Sequence, residues 1–196
     1  MEKNNSYIYI RKDYIMKNQK TTNLTLISLM TAVTCILGPL SITIPMSPVP
    51  ISFTNLAIYF SVIMLGWKKG TISYLVYLMI GFVGIPVFSS FTSGPARLLG
   101  PTGGYLIGFI FIALIAGFFV DRFPGKIYMH ALGMAIGTIV TYALGTGWLA
   151  YQANLTFKEA LFAGVIPYII GDIAKIVIAI SVGTTVKKQV KRAGYL

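Results

Sequence analysis

Cysteine and histidine each occur once in these 196 residues, and acidic side chains only five times. Cys35, inside an apolar run, excludes a disulfide within the chain and argues against a thiolate metal cluster. His130, alone on an apolar segment, reads as a helix-packing residue rather than one of a set of metal ligands. No His/Cys/Glu cluster stands beside any candidate acid–base pair, so an enzyme would lack its nucleophile or metal. Charged residues are 11% of the chain against 56% hydrophobic, with mean hydropathy +0.76. That is too little polar material for the surface of a soluble domain. A secretory signal is missing too: the basic stretch 1–23 feeds an apolar run too long for an h-region, without a small-x-small cleavage site. Met16 opens a shorter reading frame, MKNQKTTN, which would make residues 1–15 a dispensable extension.

What is present is a set of apolar runs separated by basic or breaker-rich gaps, the pattern of an all-α integral membrane protein with one domain. Six spans are expected: Leu24 to Ile44, Ile51 to Gly66, Gly70 to Val87, Gly103 to Val120, Ile127 to about Ala150, and Pro167 to Val186. The three prolines of PMSPVP (45–50) cannot continue a helix and make a stiff extended link. Residues 88–101 read as a Gly/Pro/Ser-rich loop, and 157–165 as a short helix lying at the interface. The net charge of +11 sits in tails and turns, not in a nucleic-acid patch. Thirteen Lys/Arg fall on the side holding both tails and the turns at 67–69 and 121–126, against Arg97 and Lys158 opposite. By the positive-inside bias both termini are cytoplasmic, and 1–23 and 187–196 are basic tails flanking a membrane domain at 24–186.

The sixth span carries Asp172 and Lys175 three residues apart on one helix face. Charges at that depth cost several kcal/mol each and are usually retained for a cavity or pathway. The plain alternative is a bridge that locks two helices together, although buried ion pairs stabilise poorly. A proton or ion pathway would need acids through the membrane depth, and Asp172 is the only one there. Arg97, Asn55 and Tyr105 fall in the same external half, so an outward-opening small-molecule pocket accounts for the convergence. Arg97 offers a fork for a carboxylate, and Asp172 accepts from N–H donors. Asn55 both donates and accepts, and Lys175 neutralises Asp172 or donates to a carbonyl. The N-terminus of the fourth span can face a ligand carboxylate. Tyr105, Tyr168, Phe88 and Phe91 are candidates for an apolar wall. An anion with a urea- or amide-like head fits these groups. The glycines of PARLLGPTGGY (95–105) lack the Lys-Ser/Thr of a phosphate-binding loop.

SPVPISFTNL (47–56), GIPVF (84–88), GPTGGYLIGF (100–109) and PYIIGDIAK (167–175), in that order, resemble BioY, the biotin-specific S component of energy-coupling factor transporters. The resemblance covers essentially all of 24–186. It implies a six-helix S-component fold in the cell membrane with an outward pocket for biotin. It also implies a transmembrane coupling subunit and two cytoplasmic ATPases as partners. No ATP-binding motif is present, so ATP would be used by those partners, and no cofactor is implied beyond biotin as transported substrate. Asp172, Lys175, Arg97, Asn55 and Tyr105 are the site residues it carries over. The family commonly has Gln where this chain has Asn55, and an Ala-x-x-x-Ala docking face where it has Ser28-x-x-x-Ala32. An S component for another vitamin, a membrane enzyme using Asp172 and Lys175, and a gradient-driven solitary carrier are the competing readings.

Overall fold

The computed structural model describes the backbone of residues 2–43 and 47–193, and the side chains from residue 19 on. Helix α1 runs Glu2–Leu37, with Gln19–Leu37 apolar enough to cross a membrane. It ends before Gly38-Pro39, where a proline ring would clash with the preceding turn. The first span is therefore shorter at its C-terminal end than the apolar run suggests. Two short strands follow, β1 (Ser41–Ile42) and β2 (Ile51–Ser52), paired antiparallel with Ser41 opposite Ser52. Pro45 and Met46 of the PMSPVP link lie outside the described residues. Ser47 is pinned, its hydroxyl donating to the Ala163 carbonyl at 2.7 Å.

Helix α2 (Thr54–Phe82) is one helical run broken at Gly66, whose φ of 77° and ψ of −176° are open to glycine alone. The chain doubles back there. A methyl group at Gly70 would sit 2.9 Å from Val62, a proximity impossible eight residues apart on a straight helix. The Asp121 carboxylate fills the space beside Gly66 and accepts from the Trp67 N–H at 2.9 Å. Each arm is shorter than the about 20 residues of a straight crossing. Helicity resumes at Trp67, so Lys68 and Lys69 begin the second arm instead of ending the first.

The expected loop at 88–101 is more ordered than its composition suggests. It holds a 3₁₀ turn at Ser89–Phe91 and the short helix α3 (Pro95–Leu99). Helix α4 (Gly103–Arg122) then packs on α5 (Ile127–Ala153) more extensively than any other pair. Small residues allow that approach. A methyl on Gly108 would fall within 2.9 Å of the Thr141 side chain, and Thr141 donates across to the Gly108 carbonyl at 2.8 Å. Helix α6 (Phe157–Gly164) begins in a capping box of Thr156 and Glu159. Pro167 falls in a 3₁₀ turn (Ile166–Tyr168), and the final helix, α7, runs Ile169–Arg192. Helicity thus continues through both basic stretches that the sequence sets apart as tails.

The interior holds Ile58, Tyr59, Tyr74, Tyr77, Phe88, Ile112 and Met134, all essentially inaccessible. The buried tyrosines are satisfied: Tyr74 donates to the Leu106 carbonyl at 2.7 Å and Tyr77 to the Val87 carbonyl at 2.9 Å. Large apolar side chains also cover the outside, among them Ile36, Phe118, Ile139, Ile170 and Ile173. A surface like that suits hydrocarbon rather than water. Among the described residues, four helical stretches are long and apolar enough to span: Gln19–Leu37, Gly103–Arg122, Ile127–Ala153 and Phe157–Arg192.

Candidate binding site

Ser52 begins the site from the backbone up. Its hydroxyl accepts from the Thr54 N–H at 3.0 Å just ahead of α2, and its carbonyl faces Lys175 of α7. Lys175 donates to that carbonyl at 2.6 Å and to Asp172 Oδ1 at 2.9 Å. Asn55, one residue into α2, donates its Nδ2 to the same oxygen at 2.9 Å. Tyr142 of α5 donates to Asp172 Oδ2 at 2.6 Å. A single carboxylate thus gathers donors from α2, α5 and α7. Asp172, Lys175 and Asn55 are 8%, 7% and 3% exposed. A charge so removed from water needs both a counter-charge and hydrogen bonds. Here it has one cation and two neutral donors.

This cluster lines a cavity of about 50 Å³ together with Tyr105, Tyr168 and Phe109. A second cavity, about 40 Å³, is lined by Arg97, Thr102 and Ser89. Val49, Pro50, Ser52, Tyr105 and Phe109 line both, so the two adjoin across one aromatic partition. Arg97 sits on α3, which is tied to α5 by Trp148 donating to the Gly100 carbonyl at 2.9 Å and Gln152 to the Leu99 carbonyl at 2.7 Å. It is half-buried, and among the described residues no carboxylate lies within ion-pair reach of it. Burial lowers its pKa from the ordinary value, yet an arginine stays charged. An unpaired, part-desolvated guanidinium is the group an incoming carboxylate would meet.

All five sequence-derived site residues therefore line the two cavities: Asn55, Tyr105, Asp172 and Lys175 one of them, Arg97 the other, with Tyr105 in common. The expected aromatic wall is half right. Tyr168 is there, donating to Ser47 at 2.8 Å and to the Val49 carbonyl. Phe88 is instead fully buried against Tyr77, and Phe91 is 67% exposed. Phe109 takes the place intended for them. Tyr142 was not singled out from sequence, because a tyrosine in an apolar span looks like an interface anchor.

The BioY family model matches residues 11–192. The chain belongs to the BioY family. Among curated BioY proteins, the biotin transporter BioY of Thermotoga maritima is 35% identical over 147 residues, covering 75% of this chain and 86% of that one. A probable biotin transporter BioY from Pyrococcus horikoshii is also 35% identical, over 161 residues, covering 82% and 93%. The crystal structure of the S-component for biotin from an ECF-type ABC transporter superposes with a TM-score of 0.81 at 32% identity, covering 87% of this chain and 93% of that one. This BioY family member is a multi-pass membrane protein, as its transporter relatives and its apolar helices together require. Ser28 and Ala32, the nearest equivalent in this chain to the family's Ala-x-x-x-Ala pair, both face outward from α1.

Proposed function

We propose that this chain is the substrate-binding membrane subunit of an ATP-driven importer and that biotin is its ligand. The observation that carries the reading is the pairing of the two cavities: a buried acceptor–donor cluster at one end and a partnerless guanidinium at the other. Biotin has the matching polarity, with ureido N–H groups for Asp172, a ureido carbonyl for Asn55 or Lys175, and a valerate carboxylate for Arg97. Tyr105 and Phe109 supply the apolar partition along which the chain between them would lie. Cavities of about 50 and 40 Å³ are small beside the roughly 300 Å³ at which ligand pockets begin. Binding therefore includes displacement of the shared wall. Energy would come from a transmembrane coupling subunit and two ATPases, the former docking on the Ser28/Ala32 face of α1.

The proposed topology in the cell membrane is six crossings, with the two arms of α2 counted separately and both termini in the cytoplasm. It is supported by one end of the bundle bringing together Lys69, which donates to Asn23 at 2.6 Å, the Trp67–Asp121 contact, and Lys187 beside His130. A membrane domain at 24–186 between basic flanks is consistent with that grouping. The deciding experiment is calorimetric titration of the detergent-purified chain with biotin, with riboflavin and thiamin in parallel. Tight binding of biotin alone is expected. Binding of another vitamin in its place, or of none by folded protein, would reject the assignment.

A further inference from the structure

A third cavity, larger than these two, lies away from the proposed biotin site. It lies at the opposite, basic end of the bundle, has a volume of about 300 Å³, and is lined by Lys187, Lys188, Lys191 and His130 above an apolar floor of Ile63 and Val120. Helix periodicity explains why α7 can serve two purposes there. Val186 and Val190 pack towards α1 and the first arm of α2, while Lys187, Lys188 and Lys191 recur at three- and four-residue spacing on the adjoining stripe. Among the described residues none of the three lysines forms an ion pair. The nearby acid, Asp121, is engaged with the Trp67 N–H at the Gly66 turn. His130 is 6% exposed and donates Nε2–H to the Phe123 carbonyl at 3.0 Å, which fixes its ring against the α4–α5 turn.

We propose that this cavity seats the headgroup of an anionic phospholipid. Three cations converging on one concavity match a phosphodiester, and basic pockets between helices at the cytoplasmic interface are where such headgroups bind. The apolar floor and the half-exposed Ile127 at its rim match the glycerol and first acyl carbons, which a soluble phosphate would leave unused. The bound lipid would fasten the end of α7 to the α4–α5 turn, at the far end of the helix that carries Asp172 and Lys175.

Native mass spectrometry of the detergent-purified chain tests this with phosphatidylglycerol, phosphatidylcholine, phosphatidic acid and glycerol phosphate as probes. Phosphatidylglycerol should be retained at least about tenfold better than phosphatidylcholine. The Lys187→Gln/Lys191→Gln variant should lose about tenfold of that, whereas Lys68→Gln/Lys69→Gln, with equal charge removed at the same end but outside the cavity, should keep it. Should the first variant fail to fold, Lys188→Gln/Lys191→Gln, at two exposed positions, gives the same reading. No preference over phosphatidylcholine, equal loss in both double variants, or glycerol phosphate binding as well as the lipid would each overturn the proposal.

Discussion

Asp172→Asn keeps the shape of the side chain and removes its charge, leaving the buried Lys175 ammonium with neutral acceptors in place of its counter-ion. Removing one member of a buried charge-assisted contact costs about 2–5 kcal/mol. Biotin affinity measured by calorimetry should fall by at least about 30-fold, the lower end of that range, and thermal stability should fall with it. Arg97 should behave differently, because among the described residues it forms no ion pair. Arg97→Ala is expected to leave the melting temperature unchanged and to weaken biotin by about tenfold or more. It should leave the affinity for biotin methyl ester unaltered, since the ester offers no carboxylate to lose. Equal losses for acid and ester would place Arg97 outside the carboxylate end of the site. These contrasts show what the sequence could and could not disclose. Asp172 and Lys175 are conspicuous because charge in an apolar span is rare. The Tyr142 contact spans thirty positions and involves a residue type common in membrane helices, so no local pattern announces it.

Among the elements, the two arms of α2 depend on one residue. Gly66 combines a left-handed φ with a carboxylate in the space where a side chain would start. Gly66→Ala therefore incurs both backbone strain, on the order of 1–3 kcal/mol, and displacement of Asp121 from the Trp67 N–H. A markedly lower unfolding temperature in detergent is expected; an unchanged one would mean the turn can be made another way. Segment order was legible because hydropathy sets the spans and Lys68–Lys69 marks a return to the interface. The position of the reversal was not, since glycines at 66 and 70 bracket the lysines symmetrically and only tertiary packing chooses between them. The same limit applies to the end of α1. Apolar residues continue to Ile44, and the Gly38-Pro39 break outweighs hydropathy in deciding where the helix stops.

For the whole molecule, the decisive quantity is orientation. Cys35 is the single native thiol, so a Cys35→Ala background permits single-cysteine labelling in intact cells. Lys126→Cys, in the turn between α4 and α5, should resist an impermeant maleimide until the membrane is opened, while Ser93→Cys, beside the Arg97 loop, should react at once. The reverse pattern would invert the topology and close the proposed site to the outside. Within that frame Asp172 has a consequence for exchange. An ionised carboxylate has about four lone-pair directions, and three donors from three helices already occupy most of them. On the proposed site assignment, entry of a ureido group would be a substitution in which the vitamin and the protein's own side chains compete for one acceptor. Affinity becomes a difference between two sets of bonds. A small displacement of α7 against α2 and α5 would shift that balance and let Asn55, Lys175 and Tyr142 reclaim the carboxylate, discharging the cargo without any new force being applied to it.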